Sequence, residues 1–133
     1  MSQQNIQPEG WAAPKGYANG VLSVDGTLQV AGQVGWNSQQ KFECDDFLGQ
    51  MEQTLNNILA VVRTAGGDAA DITRLTWYVT DKDEYMSNQQ QVGQVYRSVL
   101  GRNFPAMSLV VVAGLIEDGA LLEIEATAKI SMD

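Results

Sequence analysis

The sequence predicts an α+β fold, a mixed β-sheet with two helices packed on one face in the order β-β-α-β-α-β-β, and three observations carry that prediction. Asp25-Gly26 separates two extended segments, and this dipeptide favours the left-handed angles of a tight hairpin turn. Over residues 45–65 the apolar side chains recur at three- and four-residue steps, the period of an amphipathic helix. Near the C-terminus Leu122, Ile124, Ala126, Ala128 and Ile130 alternate with Glu123, Glu125, Thr127 and Lys129, the period of a strand with one buried face. Strand-helix-strand crossovers want parallel neighbours and hairpins antiparallel ones, so both directions are expected in one sheet.

In chain order, residues 19–24 and 27–35 are the two arms of the first hairpin. The long helix follows, with Phe47, Met51, Leu55, Ile58, Leu59 and Val62 as its stripe. Asp45 and Asp46 stand at its dipole-favoured start and Gly66-Gly67 at its end. Residues 72–80 are rich in β-branched and aromatic side chains, with Leu75, Trp77 and Val79 alternating against Arg74, Thr76 and Tyr78, which predicts a strand. After Asp81 the spacing of Tyr85, Val92, Val95, Tyr96, Val99 and Leu100 predicts a second helix that Gly101 closes, although Gln89 and Gly93 weaken the stripe. Residues 108–113 are apolar on both faces, the pattern of a covered central strand, and the alternating segment completes the sheet.

Length and composition bound the function. The 133 residues, 44% of them hydrophobic, suffice for one domain spanning residues 1–133 and are too few for two comfortable ones. Sixteen acids against eight bases give a formal net charge of −8, without the clustered Lys and Arg that phosphate backbones demand, so nucleic acid is not an expected partner. The N-terminus lacks the basic and apolar regions of a secretion signal, and no apolar run approaches the roughly 20 residues of a membrane span. No membrane partner is expected, and the expected compartment is the cytoplasm. Histidine is absent, which excludes Ser-His and Cys-His nucleophile pairs and every His-containing metal site. A single cysteine, Cys44, excludes disulfide scaffolds and Cys-ligated metal clusters within one chain. Carboxylates, tyrosines, hydroxyls, lysine, arginine and backbone groups remain for chemistry.

The C-terminal layout Phe104-Pro105-Ala106-Met107-Ser108, then an apolar strand, an acidic-Gly turn and Glu123-Ile124-Glu125-Ala126-Thr127-Ala128, resembles the RidA/YjgF family of enamine and imine deaminases. The resemblance extends over nearly the whole chain, through Lys15-Gly16-Tyr17, Val30-Ala31-Gly32-Gln33-Val34, Thr64-Ala65-Gly66-Gly67 and Ala70-Asp71-Ile72. It implies a chorismate-mutase-like fold, assembly as a homotrimer with clefts between subunits, and hydrolysis of reactive enamines or imines without a cofactor. An independent motive for assembly is that two helices cover only one sheet face, leaving apolar residues such as Val110 and Val112, or Leu109 and Val111, in need of a cover.

The same resemblance implies the candidate site. Glu123 matches the family's water-orienting acid, and its alternative is an exposed acid on the polar face of an edge strand. Tyr17 matches a pocket tyrosine, or is an ordinary aromatic of core or surface. Ala31, beside Gly32, stands where many members carry a small hydroxyl residue, and Gly93 where many carry asparagine. Leu109 replaces a common cysteine at a position where the family uses the backbone carbonyl. The decisive departure is Met107, which occupies the place of the arginine that grips the substrate carboxylate. A charge-assisted pair of that kind is worth about 1.5–3 kcal/mol, and a thioether replaces none of it. Either another cation among Lys15, Arg97 and Arg102 reaches the pocket, or the substrate carries an apolar group there, or Met107 is plain filler in a pocket that has lost its function. Trp77 is expected in the core, whereas Trp11 and Trp36 fall in loops and line either the cleft or a subunit contact.

Two function classes follow: a deaminase with altered substrate, or a non-catalytic trimeric small-ligand-binding or interaction protein with the same fold. A ribonuclease activity fits the acidic balance and the missing histidine badly.

Overall fold

Six strands form one sheet in a computed structural model that describes residues 2–132. The elements are β1 (Gln4–Ile6), β2 (Gly20–Leu22), β3 (Thr27–Val34), α1 (Phe47–Thr64), a 3-10 turn (Ala69–Asp71), β4 (Ile72–Val79), α2 (Lys82–Met86), α3 (Gln89–Leu100), β5 (Ala106–Val111) and β6 (Leu122–Lys129). Across the sheet they lie in the order β1-β2-β3-β6-β4-β5, with β4 and β5 parallel and every other pair antiparallel.

The expected mixed sheet with helices on one face is present. Asp25-Gly26 makes the first turn, with Gly26 at φ +92° and the Asp25 carboxylate accepting from the Thr27 amide. The long helix starts at Asp46, whose side chain caps the Gly49 amide, and ends where Gly66 adopts φ +100°. Its stripe of Met51, Leu55, Ile58 and Val62 packs fully buried against Leu28 and Val30 of β3 and Leu122, Ile124 and Ala126 of β6. Trp77 is in the core as expected, 1% exposed.

Four features depart from the sequence expectation. The last two strands are not a hairpin: β6 inserts between β3 and β4 and pairs with both, so the β3-α1-β4 crossover does not join hydrogen-bonded neighbours. Glu123 therefore lies on an interior strand rather than an edge. Conversely β5 is the sheet edge and not a covered central strand, with Val110 and Val111 43% and 52% exposed. The second helix is broken at Ser87-Asn88, where the Asn88 side chain donates to the Glu84 carbonyl and diverts backbone that would continue the helix. Finally, β1 was not anticipated, since Ile6 is its one buried residue.

Candidate functional site

Two buried amides of α1 hold the strands that carry the site. Asn57 donates to the carbonyls of Val34 and Trp36 at 3.0 and 2.8 Å, fixing the chain as it leaves β3. Gln50 donates to Gly119 O and accepts from the Leu121 amide, both at 2.8 Å, fixing the chain as it enters β6. Gly35 lets α1 come this close, because a Cβ there would lie 2.7 Å from the Gln50 backbone. Between these anchors β3 bulges: the register slips between Val30 and Gln33, so Ala31 and Gly32 together oppose Glu125. The bulge's polar groups are satisfied by Asn19, whose carbonyl accepts from the Ala31 amide, and by Gln33, whose amide donates to Asn19 and to Ala31 O.

Glu123 comes up against this bulge on the face turned away from the helices. Its carboxylate lies so close to Gly32 that a Cβ there would sit 2.2 Å from Oε2. The carboxylate is half-buried and opens into a cavity of about 260 Å³ whose walls include Tyr17, Ala31, Gly32, Trp36, Ile116 and Glu117. Burial, and then the nearby charges of Glu125 and Glu117, hold the Glu123 carboxyl above the usual carboxylate range. Glu125 accepts a hydrogen bond from Tyr78 at 2.5 Å, whereas Glu123 has no such partner among the described residues. Tyr17 is partly exposed, and burial followed by the Glu117 charge raises its hydroxyl above the ordinary tyrosine range. Such a carboxyl is suited to holding a proton or orienting a water molecule. Trp36, one of the two loop tryptophans, lines this cavity and packs on Phe42 at 5.9 Å between ring centroids. The other, Trp11, lines a neighbouring hollow with Tyr17.

Gly93 and Met107 lie elsewhere. They line a second cavity, about 350 Å³, between β4 and β5 on one side and α2 and α3 on the other. Met107 and Leu109 pair in register with Leu75 and Trp77, which places them on the helix-covered side of the sheet, with Leu109 half-buried against the core. One chain therefore brings Tyr17, Ala31, Gly32 and Glu123 together, brings Gly93 and Met107 together, and leaves the two groups on opposite faces.

Sequence reasoning passed over the aromatic wall of the second cavity. Tyr96 stacks on Phe104 at 5.7 Å and 13°, and Trp77 meets Tyr85 edge-on at 6.3 Å. The helical spacing of Tyr85 and Tyr96 marks them only as members of the second helix's stripe. Of the cations Lys15, Arg97 and Arg102, it is Arg97 that lines this cavity. Among the described residues no cluster of three or more His, Cys, Asp or Glu side chains is placed to hold a metal ion, and no helix is long and apolar enough to cross a membrane.

A family model described as Endoribonuclease L-PSP matches residues 9–130. A RutC family protein of Haemophilus influenzae is 35% identical over 130 residues, 96% of this chain and 98% of that protein. The structure of YyfA from Yersinia pestis, a protein of unknown function of the conserved Rid family, superposes with a TM-score of 0.83 at 30% identity, covering 97% of this chain and all of the other. Escherichia coli TdcF with bound serine superposes at 0.80 and 26% identity over 96% of this chain and 99% of that one.

Proposed function

The chain belongs to the RidA/YjgF family, described as endoribonuclease L-PSP, and from that membership we propose that it is a hydrolytic deaminase of reactive enamine or imine intermediates, with a substrate altered by Met107. The observation that carries this proposal is the half-buried Glu123 carboxyl, which has no hydrogen-bond partner among the described residues and opens into a cavity walled by Tyr17, Gly32 and Trp36. An imine carbon is electrophilic, so the protein has only to position water, move protons and balance charge. Glu123 orients a water molecule and takes its proton as oxygen bonds to the C=N carbon. That proton passes to nitrogen to give a carbinolamine, the hydroxyl proton then moves to nitrogen by way of the same carboxylate, and C=O forms as the C–N bond breaks to release a ketone or keto acid and ammonia. An enamine enters the same route after protonation at carbon. A carboxyl held above its usual range suits both halves of this proton traffic. No cofactor is proposed.

The separation of the two groups of residues supports a homotrimer in which Glu123 and Tyr17 of one subunit face the Met107 cavity of the next. Exposed apolar side chains at the sheet edge and nearby loops, Phe104, Val110, Val111 and Ile116, supply surface for such a contact. The serine held by TdcF shows that a relative of this fold accommodates an amino acid, the class from which imino acids derive. A ribonuclease is not proposed: the charge of −8 and the absence of histidine oppose RNA binding and acid–base cleavage.

The loss of a guanidinium at Met107 favours a second reading, a non-catalytic trimeric binder of small ligands with the same fold. Glu123→Gln separates the two. In a deaminase it abolishes ammonia release and leaves ligand binding intact; wild-type turnover in a folded Glu123→Gln protein would remove Glu123 from the mechanism.

A further inference from the structure

We infer that Arg97 supplies the cation that position 107 lacks, so that the second cavity takes a carboxylate carried on an aromatic or bulky apolar body. The substrate class is then the imines of large apolar amino acids rather than three-carbon 2-aminoacrylate. This deepens the deaminase reading and rests on it for the word substrate; the binding itself does not.

The observations are local and concordant. Arg97 and Gly93 are four residues apart on α3, one turn of the same helix face. The guanidinium folds back over Gly93, where a Cβ would lie 3.1 Å from Nη1. With no side chain of its own, Gly93 leaves the space that the guanidinium fills. Arg97 makes no ion pair among the described residues, Arg63 with Asp68 being the one pair present, so its charge is open to an incoming anion. A planar guanidinium offers a carboxylate two parallel donors.

The rest of the cavity is shaped for a ring. Tyr96 and Phe104 stack at one wall, Met107 supplies a pliable apolar surface, and the volume of about 350 Å³ lies in the range of small-molecule pockets. Trp77, 1% exposed, also lines it, and its indole Nε1 is a buried donor with no partner among the described residues.

The test is calorimetric titration of the full-length protein with phenylacetate and with its uncharged counterpart phenylacetamide. Wild type is expected to bind the acid at least tenfold more tightly than the amide. Arg97→Gln is expected to erase that preference while keeping amide affinity within twofold, and Arg102→Gln to keep the preference. Equal affinities in wild type, no binding of either probe, or a preference that survives Arg97→Gln would each overturn the inference. Arg97 is exposed, and the melting temperature of the variant checks that it folds. Ammonia release from an imine lacking a carboxylate is measured in parallel. Release without an acid preference sinks the role of Arg97 and spares the deaminase; an acid preference without release from any imine does the reverse.

Discussion

Gly32→Ala isolates the placement of Glu123 from everything else the chain does. The added Cβ would lie 2.2 Å from Oε2, 2.7 Å from Cδ and 3.0 Å from Cγ of Glu123, whereas ordinary contact begins near 3.4 Å. The nearest oxygen must therefore retreat by more than an ångström. The side chain can do so by rotating into the open cavity, so the backbone has no reason to move. A strand alanine in place of glycine also removes unfolded-state freedom, favouring the fold by up to about 0.5–1 kcal/mol. Misplacement of a catalytic group by an ångström costs on the order of 100-fold in rate. The expected variant thus melts no lower than wild type and releases ammonia from its best imine about 100-fold more slowly, measured above spontaneous hydrolysis. A folded Gly32→Ala protein with the wild-type rate would refute the idea that the β3 bulge positions the acid.

Glu123→Gln is expected to stabilise as it inactivates. The folded protein binds the Glu123 proton more tightly than the unfolded chain, so the stability from that proton is fully present at low pH and is lost as pH rises from the ordinary carboxylate value through the raised one. Melting curves should put the variant above wild type at neutral pH, with the gap closing on acidification; a gap that widened in acid would reverse the assigned shift. Gly93→Ala lies inside α3 and should gain about 0.5–1 kcal/mol in denaturant unfolding while pushing the Arg97 guanidinium outward and weakening binding of phenylacetate. Met107→Arg adds a charge-assisted pair of about 1.5–3 kcal/mol for a bound carboxylate, so kcat/KM on 2-aminoacrylate should rise tenfold or more. No gain in a folded variant would place the obstacle at Ala31, Gly93 or the shape of the cleft.

The elements that the sequence revealed are those whose signals are local. The long helix declares itself through a stripe from Phe47 to Val62 with an acidic cap before it and Gly66 after it, and the first hairpin through Asp25-Gly26. Strand order is not local. Nothing in the alternation of β6 says that it closes the gap between β3 and β4, because one polar face and one apolar face look alike on an interior strand and on an edge. The edge strand β5 misled for a related reason: side chains apolar on both faces read as a central strand, although here they stand at the sheet edge. The candidate site depended on the resemblance, since periodicity would leave Glu123 as a surface acid. Its support was hidden further, because Gln33, Asn19, Gln50 and Asn57 are polar residues whose burial only tertiary contacts disclose. Arg97 was one of three cations of equal standing, and the spacing from Gly93 acquires meaning only once the guanidinium is seen over the glycine.

The most direct test of the central claim is ammonia release by the purified wild-type protein from imines generated in solution, with and without an α-carboxylate and with small and aromatic side chains. The account predicts release faster than spontaneous hydrolysis, greatest for carboxylated imines with aromatic or bulky apolar side chains. No acceleration of any imine would contradict it and leave a binding protein on a RidA/YjgF fold.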